Sequence, residues 1–152
     1  MTSDDAAGIL LRFEGGARGV LAVSQVSAGR RNSLSLEVDG ATAALAWSTD
    51  RHEELWIGHR ERPNEVLPRD PALMAPAARA ASGYPGGHAE GYPDTFRALF
   101  QAVYRDVAAG RPAERPDYPT FADGHEGLLV GEAIARSAGE KRWADVVRAG
   151  HG

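Results

Sequence analysis

Residues 32–47 read NSLSLEVDGATAALAW, and this stretch decides the fold. Leu34, Leu36 and Val38 alternate with Ser33, Ser35, Glu37 and Asp39, the period-2 pattern of a half-buried strand over Asn32–Asp39. Asp39-Gly40 is a tight-turn signal, so Thr42–Trp47 is expected to return as an antiparallel partner. Upstream, Ala7–Phe13 alternates with Ile9, Leu11 and Phe13 on one side. The Gly-rich Glu14-Gly15-Gly16-Ala17 then predicts a hairpin with Gly19–Ser27. Downstream, Leu55–His59 follows the polar loop Ser48–Glu54 as a further strand. No helix of crossover length separates these strands, so the sheet is expected to be mainly antiparallel.

Residues 60–90 change character. Pro63, Pro68, Pro71, Pro76 and Pro85 interrupt any long element, leaving room for one short helix around Ala72–Arg79. Two longer helices follow. Pro93 and Asp94 suit a first helical turn, and Phe96, Leu99, Phe100, Val103, Tyr104 and Val107 form one apolar stripe. Gly110 and Pro112 stop that helix. Thr120-Phe121-Ala122-Asp123 is a capping-box variant that opens a second, reaching about Ala138 with Gly139 as its stop. Arg142–Val147 is expected to be a last strand. The order is that of an α+β domain over 1–152: an open sheet with helices on the Leu34/Leu36/Val38 face. The other face carries Ser, Glu and small apolar residues and is available for oligomerisation, or else solvated.

Composition removes several functions. A net charge of −4 argues against a nucleic-acid partner, which requires a basic face. No apolar run approaches a membrane span, and MTSDDAAG shows no signal peptide. The absence of Cys removes disulfides and thiolate chemistry and fits a cytoplasmic protein. Lys141 is the only lysine. No G-x-G-x-x-G opens a helix and no G-x-S-x-G elbow occurs, so neither a dinucleotide loop nor a serine hydrolase is visible. Among His88, Glu90, Asp94, Asp123 and His125, a lone H-x-E is a weak metal signal. Trp47, Trp56 and Trp143 read as core or interface residues, and His52 and His59 as surface ones.

The candidate site is the loop YPGGHAEGYPDTF, residues 84–96. Gly86 and Gly87 allow close backbone approach. His88 can donate or accept, Glu90 can accept from vicinal hydroxyls, and Tyr84 and Tyr92 offer flat walls with polar tips. The set suits a sugar or polyol. Its bland alternative is that His88 and Glu90 tie the loop to the helix while the Tyr residues pack on the sheet.

The segments DDAAGILLRFEGGARGVLAVSQVSAGRRNSLSLEVDGATAALAW, LWIGHRERPNEVLPRDP, YPGGHAEGYPDTFRALFQAVYRDVAAG and PTFADGHEGLLVGEAIARSAGEKRW occur in this order. As a set they resemble the C-terminal domain of the Gfo/Idh/MocA oxidoreductases. The resemblance implies part of an NAD(P)-dependent enzyme acting on sugars, inositols or related polyols, associating as a dimer or tetramer through an open sheet face. It implies that the Rossmann domain, the catalytic Lys and the catalytic His lie outside this chain. The chain alone is then expected to bind no cofactor and to be inactive, and Met1 is either a natural start or a boundary within a longer protein. On this resemblance His88, Glu90, Tyr84 and Tyr92 form the substrate-side contribution. A stand-alone binding or assembly module with the same fold is the rival reading.

Overall fold

The computed structural model describes residues 4–147. Met1 and the terminal Ala-Gly-His-Gly lie outside the described residues. Two compact units are present, one built from the described residues of 1–29 and 119–152, the other from Arg30–Tyr118.

The central unit holds four antiparallel strands in sequence order: β3 (Ser35–Asp39), β4 (Ala43–Ser48), β5 (Glu54–His59) and β6 (Glu65–Pro68). Residues 32–47 form the hairpin that their alternation predicts, with Leu36 opposite Trp47 and Val38 opposite Leu45. The register continues through Leu45 opposite Ile57 and Leu55 opposite Leu67. Because side chains alternate, these residues share one face, while Ser35, Glu37, Ala46, Trp56 and Val66 share the other. A single 3₁₀ turn, Thr49–Arg51, joins β4 to β5. Thr49 ties it to the strand edge: its hydroxyl accepts from Leu34 N–H at 3.0 Å, and its own N–H donates to the Leu34 carbonyl at 2.9 Å.

Two helices complete this unit, α1 (Pro76–Ala81) and α2 (Tyr92–Ala109). Asp94 accepts the Gly91 N–H at 2.8 Å at the start of α2, and Gly110, at φ 72°, ends it in the left-handed conformation. The inward side of α2 is not its large apolar stripe. Ala102 is buried and Ala98, Leu99 and Val103 are half-buried, whereas Phe96, Phe100, Tyr104 and Val107 are exposed. The small residues at 98 and 102 thus lie on the covered side, and the aromatic ridge faces outward.

The second unit pairs β1 (Ala6–Arg12) with β2 (Arg18–Ser24), Ile9 opposite Leu21, and adds α3 (Phe121–Glu140). β1 and α3 both line a gap of about 810 Å³ that Trp143 also borders, and the Arg12 guanidinium lies 3.8 Å above the Trp143 ring. The capping box opens α3: Asp123 N–H donates to the Thr120 hydroxyl at 3.3 Å, and Thr120 N–H to Asp123 at 2.7 Å.

The α+β class and the antiparallel pairing hold, with five corrections. The strands form two sheets, of two and four strands, rather than one. β6 forms despite Pro63 and Pro68, because Pro63 falls in the turn and Pro68 closes the strand. Residues 143–147 are not a strand. The helix expected to stop at Gly139 continues to Glu140, and Lys141 takes the left-handed cap at φ 53°. Leu34, Leu36 and Val38, expected under helices, remain exposed at the β3 edge, because α2 reaches the sheet nearer Trp47 and Glu53. No helix among the described residues is long and apolar enough to cross a membrane.

Candidate functional site

The β5–β6 pairing carries Arg69 N–H to the Glu53 carbonyl at 2.7 Å, which sets their side chains on one face at the sheet end. Arg69 Nε donates to Glu53 Oε2 at 2.7 Å. Its other nitrogens reach the 82–90 loop: the Ser82 hydroxyl at 2.7 Å, the Tyr84 carbonyl at 3.1 Å, Glu90 Oε2 at 3.0 Å and the His88 carbonyl. One half-buried guanidinium thus fixes four points of an irregular segment.

Glu90 is the second hub. Oε1 accepts from Gly83 N–H at 2.5 Å and faces Arg97 at 3.3 Å, while Oε2 accepts from Ser82 at 2.8 Å and meets Arg69. Those contacts fill the carboxylate's four lone-pair positions. Arg97 also pairs with Asp94 at 3.2 Å, donates to the Tyr84 hydroxyl at 3.2 Å and lies over the Tyr84 ring. A Cβ at Gly83 would displace the Arg97 guanidinium, which lies against that position. The backbone N–H of Glu90, then the Arg69 guanidinium, hold the Glu53 carboxyl below its usual range against the opposing effect of burial. The Tyr84 hydroxyl first, with Asp94 and Glu90, pushes Arg97 up.

A cavity of about 500 Å³ opens beside this network. Its walls include Trp47, Thr49, His52, Glu53, Tyr92 and Thr95. Of the four residues singled out by sequence, Glu90 and Tyr92 line it. Tyr84 joins the network through Arg97 but stays outside the cavity wall, and the His88 imidazole is exposed, the residue being held through its backbone, whose carbonyl accepts from Arg69 and whose N–H donates to the Pro85 carbonyl at 3.3 Å. Tyr92 is exposed and meets Phe96 edge-to-face, centroids 5.0 Å apart. Sequence reading passed over Arg69, Glu53 and Arg97. Arg97 had a signal, three residues after Asp94 on a helix. Arg69 had none without the β5–β6 register.

The profile of the oxidoreductase family's C-terminal alpha/beta domain, that of Gfo/Idh/MocA, matches residues 1–146. The chain belongs to this family. It is 26% identical to levoglucosan dehydrogenase of Pseudarthrobacter phenanthrenivorans over 94% of its own length and 36% of the relative's. Among solved structures, an oxidoreductase from Sinorhizobium meliloti superposes at a TM-score of 0.85 with 33% identity, over 92% of this chain and 40% of that one. An Azotobacter vinelandii inositol dehydrogenase homolog complexed with NADH and myo-inositol superposes at 0.76 with 28% identity, over 90% and 38%. The chain therefore spans well under half the length of these members of the Gfo/Idh/MocA family.

Proposed function

We propose that this chain is the substrate-binding and oligomerisation part of an NAD(P)-dependent oxidoreductase acting on a sugar, an inositol or a related polyol. The observation that carries the reading is the loop of residues 82–97, locked by Arg69, Glu90 and Arg97 beside a polar-rimmed cavity. A rigid loop loses little freedom when it meets a ligand, which suits recognition of hydroxyl patterns. In this reading His88 and Tyr92 present free polar groups, while Glu90 and Tyr84 hold the loop. The kinship with levoglucosan dehydrogenase and with the inositol dehydrogenase homolog supports the substrate class and the nicotinamide cofactor. Hydride transfer and cofactor binding belong to groups outside this chain, which acts in the cytoplasm.

The bare face of the four-stranded sheet supports association with a second copy. A shallow groove of about 480 Å³ there is lined by Glu37, Ala46, Trp56 and Val66 among others.

The test joins this chain to a dinucleotide-binding domain and assays polyol oxidation. His88→Ala raises KM about fivefold, the loss of one hydrogen bond, with the melting temperature unchanged. Unaltered kinetics in that variant, with a lowered melting temperature, would mean that the loop is structural.

A further inference from the structure

The cavity beside the ion network has features that the loop reading leaves unused. We propose that it receives the ring of an uncharged polyhydroxylated molecule, with His52 Nε2 accepting a hydroxyl hydrogen and Trp47 forming the apolar wall. This inference rests on reading the chain as part of a polyol oxidoreductase and adds the residues outside the loop that select the substrate.

His52 Nδ1 lies 3.3 Å from the Thr49 carbonyl oxygen. A carbonyl only accepts, so Nδ1 carries a hydrogen, and it is in the neutral form of the ring that Nε2 offers its lone pair. Nε2 stands 3.8 Å from Glu53 Oε1. Oε1 accepts one hydrogen bond, from Glu90 N–H at 2.8 Å, and keeps a second lone pair. Two acceptors side by side with no hydrogen between them match a pair of vicinal hydroxyls, each donating to one. Trp47 is fixed for its part by its Nε1–H, which donates to the His52 carbonyl at 3.0 Å. A pinned indole gives a flat wall for the C–H face of a sugar ring. Asn32, whose side-chain amide has no hydrogen-bond partner among the described residues, and Thr95 complete the polar rim. A volume of about 500 Å³ accommodates a monosaccharide-sized ligand.

Charge sets the class. Glu53, Glu90 and Asp94 line the cavity with Arg69 as the cation. Arg69 and its neighbour Arg97 are both engaged by these carboxylates. Within the cavity a phosphate or carboxylate meets three carboxylates and no unengaged guanidinium or ammonium, which favours a neutral polyol over sugar phosphates and sugar acids.

The experiment follows the assigned imidazole resonances of the chain by NMR during titration with myo-inositol, levoglucosan and glucuronate. The His52 ring is expected to shift, saturably, with at least one of the neutral polyols and not with glucuronate. His52→Ala should weaken that binding about tenfold, read on the Trp47 indole N–H. The bond to Trp47 uses the His52 backbone, so this substitution leaves the wall in place. The exposed Asn32→Ala should weaken binding about threefold without touching the fold. Shifts at His88 alone would overturn the cavity proposal and leave the loop reading standing. Silence at both histidines would overturn both, and an equal response to glucuronate would overturn the uncharged class.

Discussion

Arg69 faces Glu53 across two strands and reaches four points of the 82–90 loop. Lysine at this position would keep the charge and lose the planar fork, so it could serve only part of that set. Arg69→Lys should cost about 1–2 kcal/mol in chemical denaturation, the scale of one or two charged hydrogen bonds. Glu53 gives the site its pH dependence. Its carboxyl is held below the usual range in the folded chain, so its contribution to stability is full above the ordinary glutamate value. That contribution is lost as pH falls through the lowered one. Unfolding followed from neutral to acid pH should show this loss, and Glu53→Gln should flatten the curve in that window. At this scale the sequence was only partly legible. Glu90 announced itself as part of H-x-E before a helix, although its carboxylate turns to the loop's own donors. The partnership of Arg69 and Glu53, sixteen positions apart, depends on register and on a strand masked by two prolines. His52 reads as a surface residue from its polar surroundings, and its side chain is 41% exposed, but local pattern says nothing of the cavity that it borders.

Among elements, those with local signals were the readable ones. Alternation and turn residues gave both hairpins, and the Thr120–Asp123 box fixed the start of α3. The Thr120 hydroxyl, then its N–H, hold the Asp123 carboxyl below its usual range, which strengthens the box at neutral pH. Thr120→Ala should lower the stability of the unit built on α3 by about 1 kcal/mol in a denaturant titration. The other end of α3 was misread because Gly139 sits inside the last turn, two residues before the cap, and a lysine occupies the left-handed position instead. Lys141→Gly relieves that conformation and should raise stability by about 1 kcal/mol, visible as a higher denaturation midpoint. The orientation of α2 was not legible from its stripe. Aromatic spacing marks an apolar side but does not say whether the sheet or another surface will cover it.

For the molecule as a whole, the apolar surface left open is the main fact. Ala102 and Ala133 are the buried hydrophobic residues among those described, while Leu36, Val38, Val66, Phe100 and Tyr104 stay exposed. Surface of that kind is ordinarily covered by another subunit or domain. In analytical ultracentrifugation the chain should sediment as a dimer or larger. Val66→Asp, on the bare sheet face, should shift it to monomer. A monomer in the unsubstituted chain would remove the association reading.

The nesting of the two units also orders events in time. Residues 30–118 form one continuous unit, whereas β1, β2 and α3 come from opposite ends of the chain. During synthesis the central segment has all its parts before α3 leaves the ribosome. The β1–β2 ribbon, marginal alone as any two-stranded hairpin is, must wait for the last helix to be translated. Chaperone recognition during synthesis would then fall on the β1–β2 ribbon.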